Sequence, residues 1–196
     1  MRKLLSLCLI SFLVVVSVKA QEDNTLFNST RDFTVSGFGG PIFSAMPVNN
    51  SYGLAFGGGG GVVINNFFIG GFGIGNYVDN SILEVNQTAY DVDIAYGGLW
   101  FGYSIKDEWL VHPFVSLRSG FGGVELYETT NDDVELMREN MVVLTPEIGV
   151  EVNIFQQLKL STTFGYRWLS NFDNNLLRSE DYTGVIGSIA LRFGGF

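Results

Sequence analysis

The residues best able to do chemistry are few. The sole histidine, His112, has Ser116 four positions on and Ser104 eight positions back, the residue types of a base and its nucleophile. The glycine run Gly57–Gly61 invites a phosphate-loop reading but lacks the following Lys and Ser/Thr. Between residues 124 and 140, Glu125, Glu128, Asp132, Asp133, Glu135 and Glu139 face Arg138 alone, without the carboxylate spacing of an EF-hand loop. One histidine and one cysteine in 196 residues build neither a zinc site nor a disulfide framework, so no metal and no cofactor is expected. A net charge of −9 argues against nucleic acid as a partner.

Targeting accounts for the first residues. Arg2 and Lys3 precede an apolar run from Leu4 to Val18, and Val18-Lys19-Ala20 before Gln21 fits a small-residue cleavage site, so residues 1–20 read as a secretory signal peptide. The run is short for a spanning anchor helix, and Leu7 before Cys8 is too large for a lipoprotein signal. Loss of Arg2, Lys3 and Lys19 with that segment leaves 8 of the 11 basic side chains against 20 acidic ones, a net charge of −12 and no thiol. Residues 21–31 form an N-terminal extension.

The elements that must position any site follow from period-two alternation. From Leu158 to Trp168, Leu158, Leu160, Thr162, Phe164, Tyr166 and Trp168 alternate with Lys159, Ser161, Thr163, Gly165 and Arg167. Val142 to Ile154 and Val185 to Phe193 repeat the pattern. Strands are expected at about 32–44, 52–64, 67–77, 89–105, 109–123, 141–154, 158–170 and 184–196. Tight connections at 65–66, 106–108 and 155–157 alternate with longer polar ones at 45–51, 78–88, 124–140 and 171–183. Eleven to thirteen residues rising about 3.3 Å each and tilted about 40° cover roughly 28–33 Å, enough for an apolar band of about 25 Å. Tyr52, Tyr77, Tyr90, Tyr127, Trp168 and Tyr182 lie beside the long connections, and Trp100, Tyr103, Trp109, Phe155 and Phe196 beside the short ones. Two such sets predict aromatic girdles at two membrane interfaces. Pro113 and Pro146 are expected to mark bulges, because a closed barrel has no edge on which a missing N–H is harmless.

A leader segment, eight alternating strands over 32–196 and a terminal Arg192-Phe193-Gly194-Gly195-Phe196 resemble the small OmpA/OmpX-type outer-membrane β-barrel family. The resemblance implies an all-β fold, an eight-stranded antiparallel up-and-down transmembrane β-barrel in the bacterial outer membrane. It also implies contact with outer-membrane lipid and insertion by the barrel-assembly machinery, which in that family reads an aromatic at the end of the last strand. Phe193 and Phe196, three apart, fall on opposite faces of a regular strand, so either Gly194-Gly195 forms a bulge or Phe193 is the anchor.

With the apolar face toward lipid, the lumen is expected to hold Asp91, Asp93, Arg118, Glu147, Glu151, Lys159, Arg167 and Arg192, four acids and four bases in one salt-bridge network. Such an interior is too narrow for a pore. Barrel enzymes that modify lipid A use a histidine near the outer rim, whereas His112 falls near the short-turn rim and reads as an inward-facing structural residue. The expectation is a monomeric, non-enzymatic envelope or surface-interaction protein, with a surface ligand at loops 78–88 and 124–140. A lipid-modifying enzyme and a soluble lipocalin-like binder are the alternatives, and the second requires Glu147, Glu151, Lys159 and Arg167 to face outward.

Overall fold

The computed structural model describes residues 34–48, 51–76, 82–85, 88–128, 131–170 and 178–196. The expected signal peptide and extension (1–31), Tyr77, and the side chains of Tyr90, Asp91 and residues 126–138 lie outside what is described. Strands are β1 (Val35–Val48), β2 (Ser51–Ile64), β3 (Phe67–Asn76), β4 (Ile82–Val85), β5 (Thr88–Ser104), β6 (Val111–Glu128), β7 (Asn131–Phe155), β8 (Leu158–Ser170) and β9 (Gly184–Gly194). All pairings are antiparallel. β1 pairs with both β2 and β9, and β3 pairs with β2 and β5, so eight strands close a barrel while short β4 lies only on β5. Closure leaves no barrel edge for another chain to pair with.

Alternation sets the two faces. Phe43, Leu99, Phe121, Ile148, Phe164, Trp168 and Ile189 stand outward and exposed, Phe121 by 75% and Phe164 by 65%. Arg118, Glu147, Glu151, Lys159, Arg167 and Arg192 are buried in the interior. Apolar residues such as Phe38, Met46, Phe68, Ile94 and Phe114 fill much of the interior beside these charges, so it is the broad apolar exterior that a lipid solvent selects. A lipocalin-like barrel would carry Glu147, Glu151, Lys159 and Arg167 outward, and here all four are buried.

The connections differ from expectation at one end. Short turns close at Asn65-Asn66, at residues 105–110 and at Gln156-Gln157. Asn65 and Lys106 take the left-handed conformation, φ 53° and 55°, which asparagine tolerates better than lysine. Opposite them, β1 and β2 run to the Val48↔Ser51 pair, so 45–51 is a tight hairpin rather than a loop. Residues 78–88 contain β4. Residues 124–140 continue the ladder up to Glu128↔Asn131, with register shifts near Tyr127.

Neither proline sits in a bulge. The β6–β7 register runs unbroken through Pro113↔Val150 and Leu117↔Pro146. The β7–β8 pairing lapses at Thr145-Pro146 and resumes in the same register at Glu147↔Gly165, so the missing N–H costs a ladder bond without displacing the strand. β9 also keeps one register on β1 through Phe193 and Gly194, with no bulge. Glycine is sterically required where rings fill the lumen. A Cβ on Gly102 would lie 2.2 Å from the Phe68 ring, and one on Gly59 would lie 3.0 Å from Trp100.

Candidate functional site

Chemistry is concentrated in the lumen, in three levels along the barrel. At the short-turn end Glu151 is the hub. Its Oε1 accepts a bond from Arg192 Nη1 at 2.6 Å, and its Oε2 accepts one from Ser104 Oγ at 3.0 Å. His112 Nε2 lies 3.0 Å from the same Oε2, and Lys159 Nζ lies 3.8 Å away. His112 Nδ1 faces the Trp109 carbonyl at 3.1 Å. Both imidazole nitrogens therefore meet oxygen partners. The Arg192 guanidinium sits 3.9 Å from the Phe38 ring and 4.5 Å from Phe68, with Trp100, Phe114 and Phe196 within 6 Å. Ring faces thus take the part of the cation that the carboxylate leaves uncovered.

At mid-height Glu147 pairs with Arg118 and accepts bonds from Ser116 Oγ at 2.9 Å and Thr163 Oγ1 at 3.0 Å. Arg118 Nη2 also donates to Ser188 Oγ at 2.7 Å, which in turn bonds Ser44 at 2.9 Å. The cavity left among these groups holds about 10 Å³, room for a single water. At the long-loop end Arg167 has no carboxylate partner among the described residues. Its Nη2 donates to the carbonyls of Pro47 and Tyr182, both at 2.7 Å, and its Nη1 contacts Met46 Sδ. The Tyr182 carbonyl belongs to a short 3₁₀ turn, Ser179–Tyr182, so Arg167 pins that turn across the barrel mouth. Burial, with a smaller contribution from Asp181, pushes the Tyr182 phenol up to about 12.

The expected network is thus divided and less balanced. Arg118, Glu147, Glu151, Lys159, Arg167 and Arg192 all face inward. Asp93 does not. It is exposed, while Val92, Ile94 and Tyr96 of the same strand point in. Among the described residues the fully buried charges are therefore two acids against four bases, with His112 additional. Arg167 bonds carbonyls instead of Glu147 or Glu151, against expectation.

Of the expected girdle residues, Tyr52, Tyr103, Trp109 and Trp168 are exposed on the outer face. Trp100 is 4% exposed and Tyr182 1%, so both belong to the interior. Trp100 packs edge-on against Phe38 and Phe68. At the terminus Phe193 is 51% exposed on the outer face. Phe196 lies beyond β9 and turns inward, 6.3 Å from Phe38 and 4.4 Å below Lys159 Nζ.

Sequence reasoning missed the hydroxyls Ser44 and Ser188 and the rings Phe38, Phe68 and Phe114, and it gave Ser104 and Thr163 no carboxylate partner. Their signal was available as parity, since each alternates with outward apolar residues or glycines. Chemically the arrangement ties the buried hydroxyls and the imidazole to the two carboxylates. Ser104 and His112 both bond Glu151, Ser116 bonds Glu147, and no serine–imidazole hydrogen bond exists among the described residues. Nor do they contain a group of three or more His, Cys, Asp or Glu that could hold a metal ion.

No protein-family model matches the sequence, and no curated protein matches it. Solved structures do. Neisserial surface protein A matches with a TM-score of 0.59 at 11% identity, over 84% of this chain and 99% of that one. The Yersinia pestis attachment invasion locus protein Ail, in complex with the heparin analogue sucrose octasulfate, matches with a TM-score of 0.51 at 12% identity, over 84% and 99%. Closure of eight antiparallel strands with an apolar exterior and a charged, filled lumen gives this chain the fold of the small outer-membrane β-barrels, the OmpA/OmpX type.

Proposed function

We propose that the protein is an integral outer-membrane barrel with a sealed lumen that acts without catalysis, through contacts made at its long-loop end. The observation that carries this reading is the apolar exterior of a closed barrel whose charged side chains, Arg118, Glu147, Glu151 and Arg192, are paired inside. A mid-height cavity of only about 10 Å³ among paired side chains supports a filled lumen. The serines and His112 are buried on carboxylates, which supports a structural role for each.

The contact surface is the ribbon of β4 to β7. β7 pairs with β8 only from Val142↔Ser170 downward, whereas on its other side it pairs with β6 up to Asn131. Residues 124–140 of this ribbon hold six acids against Arg138 alone. The polyanion bound to Ail carries the same sign of charge as this ribbon, and a basic protein surface suits the ribbon better. Phe193, outward on the last strand, is the aromatic proposed for the barrel-assembly machinery, and Phe196 is a plug for the lumen.

Fractionation with gel mobility tests the location and fold together. The expected result is an outer-membrane protein whose unboiled, detergent-solubilised form migrates differently from the boiled one. Recovery as a detergent-free soluble monomer would contradict it.

A further inference from the structure

At the short-turn rim an open cavity of about 460 Å³ lies at the mouth of the lumen, within the usual size of small-molecule sites. Its lining includes Asp107 and Glu108 from the 105–110 turn, Asn153 and Phe155 from the end of β7, Lys159 from β8, and Phe196. Lys159 is 94% buried, yet its ammonium makes no hydrogen bond among the described residues. Its carboxylate neighbour, Glu151 Oε2, is 3.8 Å off and already engaged by Ser104 and His112, while Oε1 is engaged by Arg192. Asn153 Oδ1 is buried and also lacks a hydrogen-bond partner among those residues. Asn153 Nδ2 meanwhile clamps the turn through the carbonyls of Asp107 and Trp109, both at 2.8 Å, and Asn66 Nδ2 donates to Asp107 Oδ1 at 2.8 Å. The walls of the cavity are therefore held in place, and a buried cation within them has donors to spare.

Two kinds of charge line this space. A simple anion drawn to Lys159 would meet the carboxylates of Asp107 and Glu108, and a simple cation drawn to those carboxylates would meet Lys159. We infer that the cavity binds a compact zwitterion, its anionic group on Lys159 and its ammonium toward Asp107 and Glu108, with Phe155 and Phe196 covering the carbons between. Such chemistry comes from a soluble amino acid or short peptide, or from the phosphate–ammonium headgroup of a membrane lipid.

Calorimetric titration of the full chain, refolded in micelles, tests this with glycylglycine as the zwitterion and acetate and ethylammonium as its halves. Saturable binding of glycylglycine is expected, with each half at least about tenfold weaker. Lys159→Met and Glu108→Gln should each weaken glycylglycine by about tenfold or more. Gel mobility without boiling checks that each variant is folded, and if Lys159→Met fails that check, Glu108→Gln and the half-ligand series decide. Acetate binding as tightly as glycylglycine, no saturable binding, or unchanged affinity in a folded variant would each overturn the inference. Bilayer discs separate the sources. Glycylglycine binding that is lost in phosphatidylethanolamine but kept in phosphatidylglycerol supports the lipid headgroup, and binding kept in both supports a soluble ligand.

Discussion

The two ends of the lumen hold buried cations by different means. At the short-turn end one carboxylate, Glu151, serves Arg192, Lys159 and His112 inside a cage of aromatic rings. At the long-loop end Arg167 has two backbone carbonyls and a methionine sulfur, with no carboxylate among the described residues. The first arrangement depends on charge and concentrates its risk in one residue. The second depends on backbone geometry and distributes its risk over β1 and the 3₁₀ turn. Loss of a hub carboxylate strands several buried charges, whereas loss of Arg167 removes the charge and strands only neutral acceptors.

That asymmetry ranks the expected effects. Glu151→Gln should cost most, about 3–5 kcal/mol in urea unfolding from micelles, because it leaves Arg192 and Lys159 uncompensated. Phe164→Arg, midway along β8 on its lipid face, should cost about 2–4 kcal/mol, read by the same urea midpoint. Arg167→Leu should cost about 1–3 kcal/mol, the penalty for two unmet carbonyls, and should loosen the turn at Ser179–Tyr182 as seen by faster amide exchange there. A larger loss for Arg167→Leu than for Glu151→Gln would break the comparison. Tyr166→Leu, also facing lipid, should stay within about 0.5 kcal/mol.

Legibility followed the solvent on each side of a strand. β8 was readable to the residue, because lipid on one face and charged partners on the other give every position a distinct chemistry. Asp93 was assigned to the wrong face for the converse reason. It lies toward the long-loop end of β5, paired with Glu125, where polarity no longer marks the inside and the lumen is filled by Val92, Ile94 and Tyr96. Trp100 was placed by its distance from a turn instead of its parity, although Leu99, Phe101 and Tyr103 already defined the outer face around it. Gly98 and Gly102 share its inward parity, and a Cβ on Gly102 would meet the Phe68 ring packed against Trp100. Tyr182 and Phe196 lie outside strands, where no period applies. The identity of Glu151 as a hub was not legible, because its partners come from β5, β6, β8 and β9 and only closure of the barrel brings them together.

The central claim, apolar residues on lipid and charges in a sealed lumen, is tested most directly by spin-label accessibility along β8. The strands contain no cysteine, so single cysteines can be placed at residues 160 to 165 in turn and labelled in bilayers. The account predicts that labels at 160, 162 and 164 are relaxed by membrane-dissolved oxygen and not by a water-soluble nickel chelate, while 161, 163 and 165 are shielded from both. The opposite parity, or chelate access at the even positions, would contradict it.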